Sequence, residues 1–133
     1  MKYTKLIFLI LVAVLAMQAC RKDFTMAPPA VQLPTGNISF DTVILPILTA
    51  NCVKSGCHIS GGQTPDLTAT NAYSQLTMLG YVPQDDTSEA DAKNSILYKM
   101  LISTSKPMPP TGSLTPTQKA DILGWMTQGS LNN

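Results

Sequence analysis

Apolar residues are distributed along the chain in two different ways. From Leu6 to Met17 the run LIFLILVAVLAM is apolar without a break. Beyond about residue 37, apolar positions recur at the spacing of helices with one buried face. No period-2 run of β-branched residues occurs, so strands are not expected to organise the fold. A helix is predicted over about Asp41 to Asn51, where Val43, Ile44, Ile47 and Leu48 share a face. Pro46 inside it should start or kink a turn, because proline cannot donate to the helix ladder. A short helix is predicted around Ala72 to Leu79. Another lies over NSILYKMLI, Asn94 to Ile102, with Ile96, Leu97, Met100 and Leu101 facing a core. The last is the best defined, in TPTQKADILGWMTQG. Thr115 stands at the N-cap, Pro116 at the first helical position and Gln118 where a capping box needs it. Gly129 provides the stop, and Ile122, Trp125 and Met126 form one apolar stripe. The expected fold is a small, mostly α, helix-and-loop domain.

The unbroken apolar run changes the picture of where the chain works. Lys2 and Lys5 precede it and MQAC follows it. It is shorter than the roughly 20 residues needed to cross a bilayer, and suits the core of a signal peptide. The segment through Cys20 resembles a bacterial lipoprotein signal, in which cleavage before the cysteine leaves that residue lipidated. Met17 and Gln18 depart from the small or aliphatic residues usual there. An ordinary secretory signal cut near Ala19 is the alternative, and export follows from both. The expected organisation is a signal peptide over 1–19, a lipidated Cys20 with a flexible tether over 20–37, and the domain proper over 38–133. Pro28, Pro29, Pro34 and Gly36 keep the tether extended. The expected location is the periplasm or the outer membrane, with the membrane reached through the anchor at Cys20.

Composition narrows the partners. The chain has 133 residues, 44% of them hydrophobic, and a net charge of +1. With no Lys/Arg stripe to neutralise a phosphate backbone, nucleic acid is excluded as a partner. A helix-and-loop domain of about a hundred residues buries little surface by itself. Long loops inside a compact domain point to something that organises them, either a cofactor in the middle or a partner across one face.

The candidate chemistry lies in NCVKSGCHIS, Asn51 to Ser60, which holds Cys52, Cys57 and the single histidine, His58. Three uses are open. Structural zinc wants four Cys or His ligands, and the domain has no other histidine or cysteine. A Cys52–Cys57 disulfide is permitted by export, and closing so short a loop would add about 2 kcal/mol at most before strain. The third use is thioether attachment of a haem, with the following histidine on the iron, as in C-x-x-C-H. Here four residues separate the cysteines, and Gly56 gives the backbone freedom for the extra two to bulge.

A second ligand candidate lies in STSKPMPPTG, Ser103 to Gly112. Met78 and Met100 fall on predicted helices and read as core filler. Met108 is set among Pro107, Pro109 and Pro110, in a loop that no regular element can occupy, and a rigid loop presenting a thioether suits an axial ligand. His/Met ligation raises a haem's reduction potential relative to bis-histidine ligation and leaves little room for substrate, which favours electron transfer. The other ring N–H of His58 should then donate to a backbone carbonyl around Thr64 and Pro65. The acidic stretch Asp85, Asp86, Glu89 and Asp91 lacks the pattern of a calcium loop and reads as a solvated surface loop. Gly61 and Gly62 read as turn residues.

Taken together, VILPILTANCVKSGCH, NSILYKML, KPMPP and LTPTQKADILGWMTQGS resemble a class I c-type cytochrome domain of the kind found on lipoproteins of Bacteroidetes-like bacteria. The resemblance spans about Phe40 to Asn132. It implies a domain packed around one haem c, bound covalently by Cys52 and Cys57, with His58 and Met108 as axial ligands of the iron. It also implies that Phe40, Ile44 and Ile47 meet Ile122, Trp125 and Met126, where the N- and C-terminal helices cross. The implied function is a monohaem one-electron carrier with redox protein partners, and not a substrate-converting enzyme. The alternatives are a cofactor-free structural or interaction lipoprotein with a Cys52–Cys57 disulfide, and a small haem peroxidase.

Overall fold

Pro46 decides how the first helix begins. Lacking an N–H, it cannot bond the carbonyl one turn back, and the chain opens into a wider coil just before it. Phe40–Ile44 is a π-type turn, closed by the Leu45 N–H donating to Phe40 O, with Pro46 in the first turn of the α-helix that follows. In this computed structural model, which describes residues 32–133 apart from Asp86, the predicted 41–51 helix is therefore two pieces, Phe40–Ile44 and α1 over Leu45–Cys52. The Ser39 side chain caps the first piece by accepting from the Thr42 N–H at 3.2 Å. The signal segment, Cys20 and the tether through Val31 lie outside the described residues.

Four more helices follow, α2 over Ala72–Met78, α3 over Glu89–Asn94, α4 over Ile96–Ile102 and α5 over Pro116–Thr127. The mostly α expectation holds, and no strand occurs among the described residues. Helix α3 corrects the reading of the acidic stretch as a loop. Ser88 accepts from the Asp91 N–H, Glu89 and Asp91 fill the first turn, and Lys93 stands in the last, the charge order that a helix dipole favours. Glu89 also pairs with Lys93 one turn on. Ser95 then takes an extended conformation and caps α4 by accepting from the Tyr98 N–H, which is why the predicted 94–102 helix starts at Ile96.

Helix α5 forms as its sequence dictates. Thr115 Oγ1 accepts from the Gln118 N–H at 3.2 Å and Gln118 Oε1 accepts from the Thr115 N–H at 2.9 Å, so both arms of the capping box are made. Gly129, at φ 88°, ends it in the left-handed region that favours glycine. Its stripe of Ile122, Trp125 and Met126 is fully buried. Phe40 meets Trp125 with ring centroids 5.3 Å apart and Tyr73 edge-on at 5.2 Å, both within the range of favourable aromatic pairing. The Trp125 Nε1–H donates to Leu131 O at 2.9 Å, so the buried indole leaves no donor unpaired.

The opening turn and the end of the chain lock together. Phe40 N–H donates to Asn133 Oδ1 at 2.9 Å and Asp41 N–H to Asn133 O at 3.0 Å, satisfying donors that a helix N-terminus leaves free. Gln128 reaches residues 36–38, accepting from the Ile38 N–H and donating to Gly36 O. Helix α5 thus packs across Phe40–Ile44 on one side and against α3 and α4 on the other. The long segment between α1 and α2 is left to line a cleft.

Candidate functional site

The end of α1 places the first cysteine. Val53 leaves helical geometry, so Cys52 closes the helix with its side chain half-buried. The chain then winds back on it. Lys54 N–H and His58 N–H both donate to Cys52 O, at 3.1 and 3.3 Å, and Cys57 N–H donates to Lys54 O at 2.8 Å. Gly56 carries this turn at φ 76°, the left-handed conformation that costs glycine little. The two extra residues between the cysteines are absorbed in a hydrogen-bonded bulge that still sets Cys57 and His58 beside the end of α1.

Gly62 is needed for a different reason. A Cβ on it would lie 2.3 Å from the carbonyl oxygen of Cys57. That oxygen accepts from the Gln63 N–H at 2.9 Å, so the chain passes close against the Cys57 peptide as it turns back. Leu67 N–H then donates to His58 O at 2.9 Å. His58 is held at its ring as well. Its Nδ1 lies 2.8 Å from Pro65 O and 3.2 Å from Gln63 O. Carbonyls only accept, so Nδ1 carries the proton, and in the neutral ring Nε2 keeps a free lone pair. The acceptor falls in the loop where it was expected.

A partly open cleft with about 140 Å³ of internal space brings the candidate ligands together. Cys52, His58 and Met108 all line it, with Thr64, Pro65 and Leu67 on the loop side, Tyr81 beyond α2, and Leu97, Met100 and Leu101 on α4. Cys57 is half-buried and is not among the lining residues. Met108 is tied to α4 by its N–H, which donates to Met100 O at 3.0 Å. Cys20 lies outside the described residues.

Two readings of the methionines change. Met78 is 84% exposed and Met100 41% exposed, so neither is core filler. Helical periodicity identified a stripe on α4 but not its neighbour. Leu97 and Leu101 are buried, Ile96 is exposed, and Met100 borders the cleft. Tyr81, Leu67 and the Asp66 carboxylate beside Pro65 also escaped the sequence reading, since they follow from no spacing and are placed by the loop's return. The pattern Leu97, Met100, Leu101 was the available signal, because one helix face can serve a core and a cleft together.

The donor set limits the chemistry. Cys52 and Cys57 are not joined by a disulfide in this structure. Burial, and then the neighbouring Cys57, push the Cys52 thiol up to about 11. Near neutral pH it is therefore a thiol and not a thiolate nucleophile. Among the described residues no group of three or more His, Cys, Asp or Glu side chains is placed to hold a metal ion. What converges is one imidazole with an available Nε2, a thioether and a thiol around an apolar space. Soft sulfur donors and imidazole suit a haem with axial His and Met. At about 140 Å³ the cleft is smaller than the about 300–1,000 Å³ of ordinary ligand pockets, so these residues would enclose only part of a porphyrin. No helix among the described residues is long and apolar enough to cross a membrane. Comparison with protein-family models, curated proteins and solved structures gives no match for this chain.

Proposed function

We propose that the chain is an exported, lipid-anchored monohaem c-type cytochrome that carries single electrons between redox proteins. The observation that supports it most directly is the apolar cleft lined by Cys52, His58 and Met108, with the His58 ring already oriented through Nδ1. Cys52 and Cys57 would supply the two thioether links, and His58 Nε2 and Met108 Sδ the axial donors. Bound in this way, haem c supplies a one-electron couple.

The residues around the ligands have separate tasks. The Pro65 carbonyl holds the imidazole proton on Nδ1, which keeps the Nε2 lone pair available as a ligand. Leu67, Leu97 and Leu101, all buried, exclude water from the space beside the ring. A lower local dielectric disfavours added charge and so tunes a redox potential. The tie between the Met108 N–H and Met100 O holds the thioether loop to α4. If His58 and Met108 both bind the iron, little room would be left for substrate, which favours a carrier over an enzyme. Cys20 would supply the lipid anchor.

A reduced-minus-oxidised spectrum of protein expressed with a haem-attachment system is the test. A sharp low-spin haem c band that survives acid–acetone extraction is expected. Stable, colourless protein would end the reading, and a high-spin band responsive to peroxide would transfer it to a peroxidase. His58→Ala should abolish accumulation of haem-loaded protein, since no other imidazole exists in the chain. Met108→Ala should keep the covalent haem, open a coordination position and lower the potential. An unchanged spectrum and potential in Met108→Ala would move the ligand role to Met100.

A further inference from the structure

Asp66 collects more hydrogen bonds than any other side chain near the cleft, although it does not line the cleft itself. Its Oδ1 accepts from the Thr68 N–H at 2.9 Å and the Thr68 hydroxyl at 2.6 Å. Its Oδ2 accepts from the Ser60 hydroxyl and from Asn71 Nδ2, both at 2.7 Å. The carboxylate therefore joins the residue two beyond His58 to the segment leading into α2. Charge-assisted bonds of this kind are stronger than neutral ones, and these are drawn from three points along one loop.

The peptide unit preceding this side chain is the important one. Its oxygen is Pro65 O, which accepts from His58 Nδ1, and its N–H is that of Asp66. On the far side of the same plane that N–H faces Gln75 Oε1 of α2 at 3.5 Å. A planar peptide cannot turn its oxygen without also turning its nitrogen. Whatever fixes Asp66 therefore aims the carbonyl at the imidazole. Leu67 N–H, one residue further on, pins the His58 backbone at the same time.

We infer that Asp66 is a positioning residue that holds the Pro65 carbonyl against the His58 ring, and so sets how the ring presents Nε2 to a bound group. This rests on the cytochrome reading for its redox consequence, but not for its geometry. A carbonyl held on Nδ1–H would make the imidazole a stronger ligand and so favour the oxidised state of a bound haem. Loosening it should shift the potential upward. The hydrogen-bonded state of Asp66 also keeps its carboxyl well below the usual carboxylate range, with the Thr68 hydroxyl the largest cause and Ser60 next.

The test uses Asp66→Ala and Asp66→Asn in the full chain, with Thr115→Ala, a cap residue that does not line the cleft, as a control for lost stability. The single histidine makes the ring signals self-assigning in NMR. In Asp66→Ala, exchange of the Nδ1 proton with solvent should rise on the order of tenfold or more beyond what its loss of global stability accounts for, as expected when charge-assisted bonds are removed. Asp66→Asn keeps one acceptor oxygen and should fall between Asp66→Ala and the parent; if Asp66→Ala does not fold, this variant carries the test. In haem-loaded protein the potential should rise in the same order. An Nδ1 exchange rate explained fully by global stability, as calibrated by Thr115→Ala, would overturn the assignment, and so would an unchanged potential in haem-loaded protein. If the purified protein carries no haem, the functional reading fails, and the exchange measurement on that protein still decides the role of Asp66.

Discussion

Replacing Gly62 by alanine is the sharpest test of how the loop after His58 is built. The new Cβ would meet Cys57 O at 2.3 Å, Ile59 Cγ1 at 3.0 Å and Ile59 O at 3.1 Å. Two of these contacts are backbone, so no rotamer relieves them. The φ of Gly62 lies outside the left-handed region, and the penalty is one of space alone. Relief requires the loop to move away from Cys57, which stretches the bonds from Gln63 N–H to Cys57 O and from Gly62 N–H to Ile59 O, each 2.9 Å. Overpacking costs ~1–3 kcal/mol and each weakened bond ~0.5–1.5 kcal/mol, less ~0.4–1 kcal/mol recovered from the stiffer unfolded chain. A net loss of about 1–5 kcal/mol is expected. Gly124→Ala provides the contrast. Its Cβ would lie 2.6 Å from Ile38 Cδ1, the free end of a side chain that can turn away. The helix gains ~1 kcal/mol in propensity there, so the net change should stay within about 1 kcal/mol. Urea unfolding followed by far-ultraviolet circular dichroism measures both. The reasoning fails if Gly62→Ala unfolds at the parent's urea midpoint, or if Gly124→Ala is the more damaging of the two. On the proposed cytochrome reading, Gly62→Ala should also lower haem incorporation, because the displaced carbonyl belongs to Cys57.

Further outcomes follow from other contacts. Thr115→Ala breaks the capping box and should cost ~1 kcal/mol in urea unfolding, with Thr115→Ser retaining most of the cap. Trp125→Ala should cost ~3–5 kcal/mol, since it empties a fully buried site packed on Phe40; a loss below that of Thr115→Ala would mean the site collapses freely. The Asp66 carboxyl is held below its unfolded value by its hydrogen bonds. Its stabilising contribution is therefore complete above the ordinary carboxylate pKa of about 4 and is lost as pH falls from there toward the folded value. Stability profiles should show a steeper acid limb in the parent than in Asp66→Asn, and parallel limbs would contradict the network.

Several structural features were legible in the sequence because their causes are local. The capping box, the proline at the start of α5 and the glycine after it act within a few residues, and the helix formed between them. Gly56 likewise carries the turn between the cysteines, and Pro46 marks the break before α1. The apolar run from Leu6 to Met17 and the Cys–His cluster set the expectations of export and of cofactor chemistry on residue type and spacing alone. That Phe40 meets Trp125 was implied by the resemblance alone and not by the helical pattern, in which Phe40 had no place.

Tertiary structure decided what local pattern could not. An apolar residue on a helix looks the same in sequence whether it faces a core, a cleft or water, and only the neighbours that α5 and the long loop bring up separate Leu97 from Met100 and both from Met78. Acidic residues at 85–91 read as loop until Ser88 capped Glu89 and Asp91 into a first turn. The carbonyl that orients His58 lies in the loop where the sequence placed it, but the Asp66 carboxylate that holds this loop from outside the cleft follows from no spacing. Hydrogen bonds between segments depend on where the chain returns, and that is settled by close approaches such as Gly62 against Cys57, which no periodicity encodes.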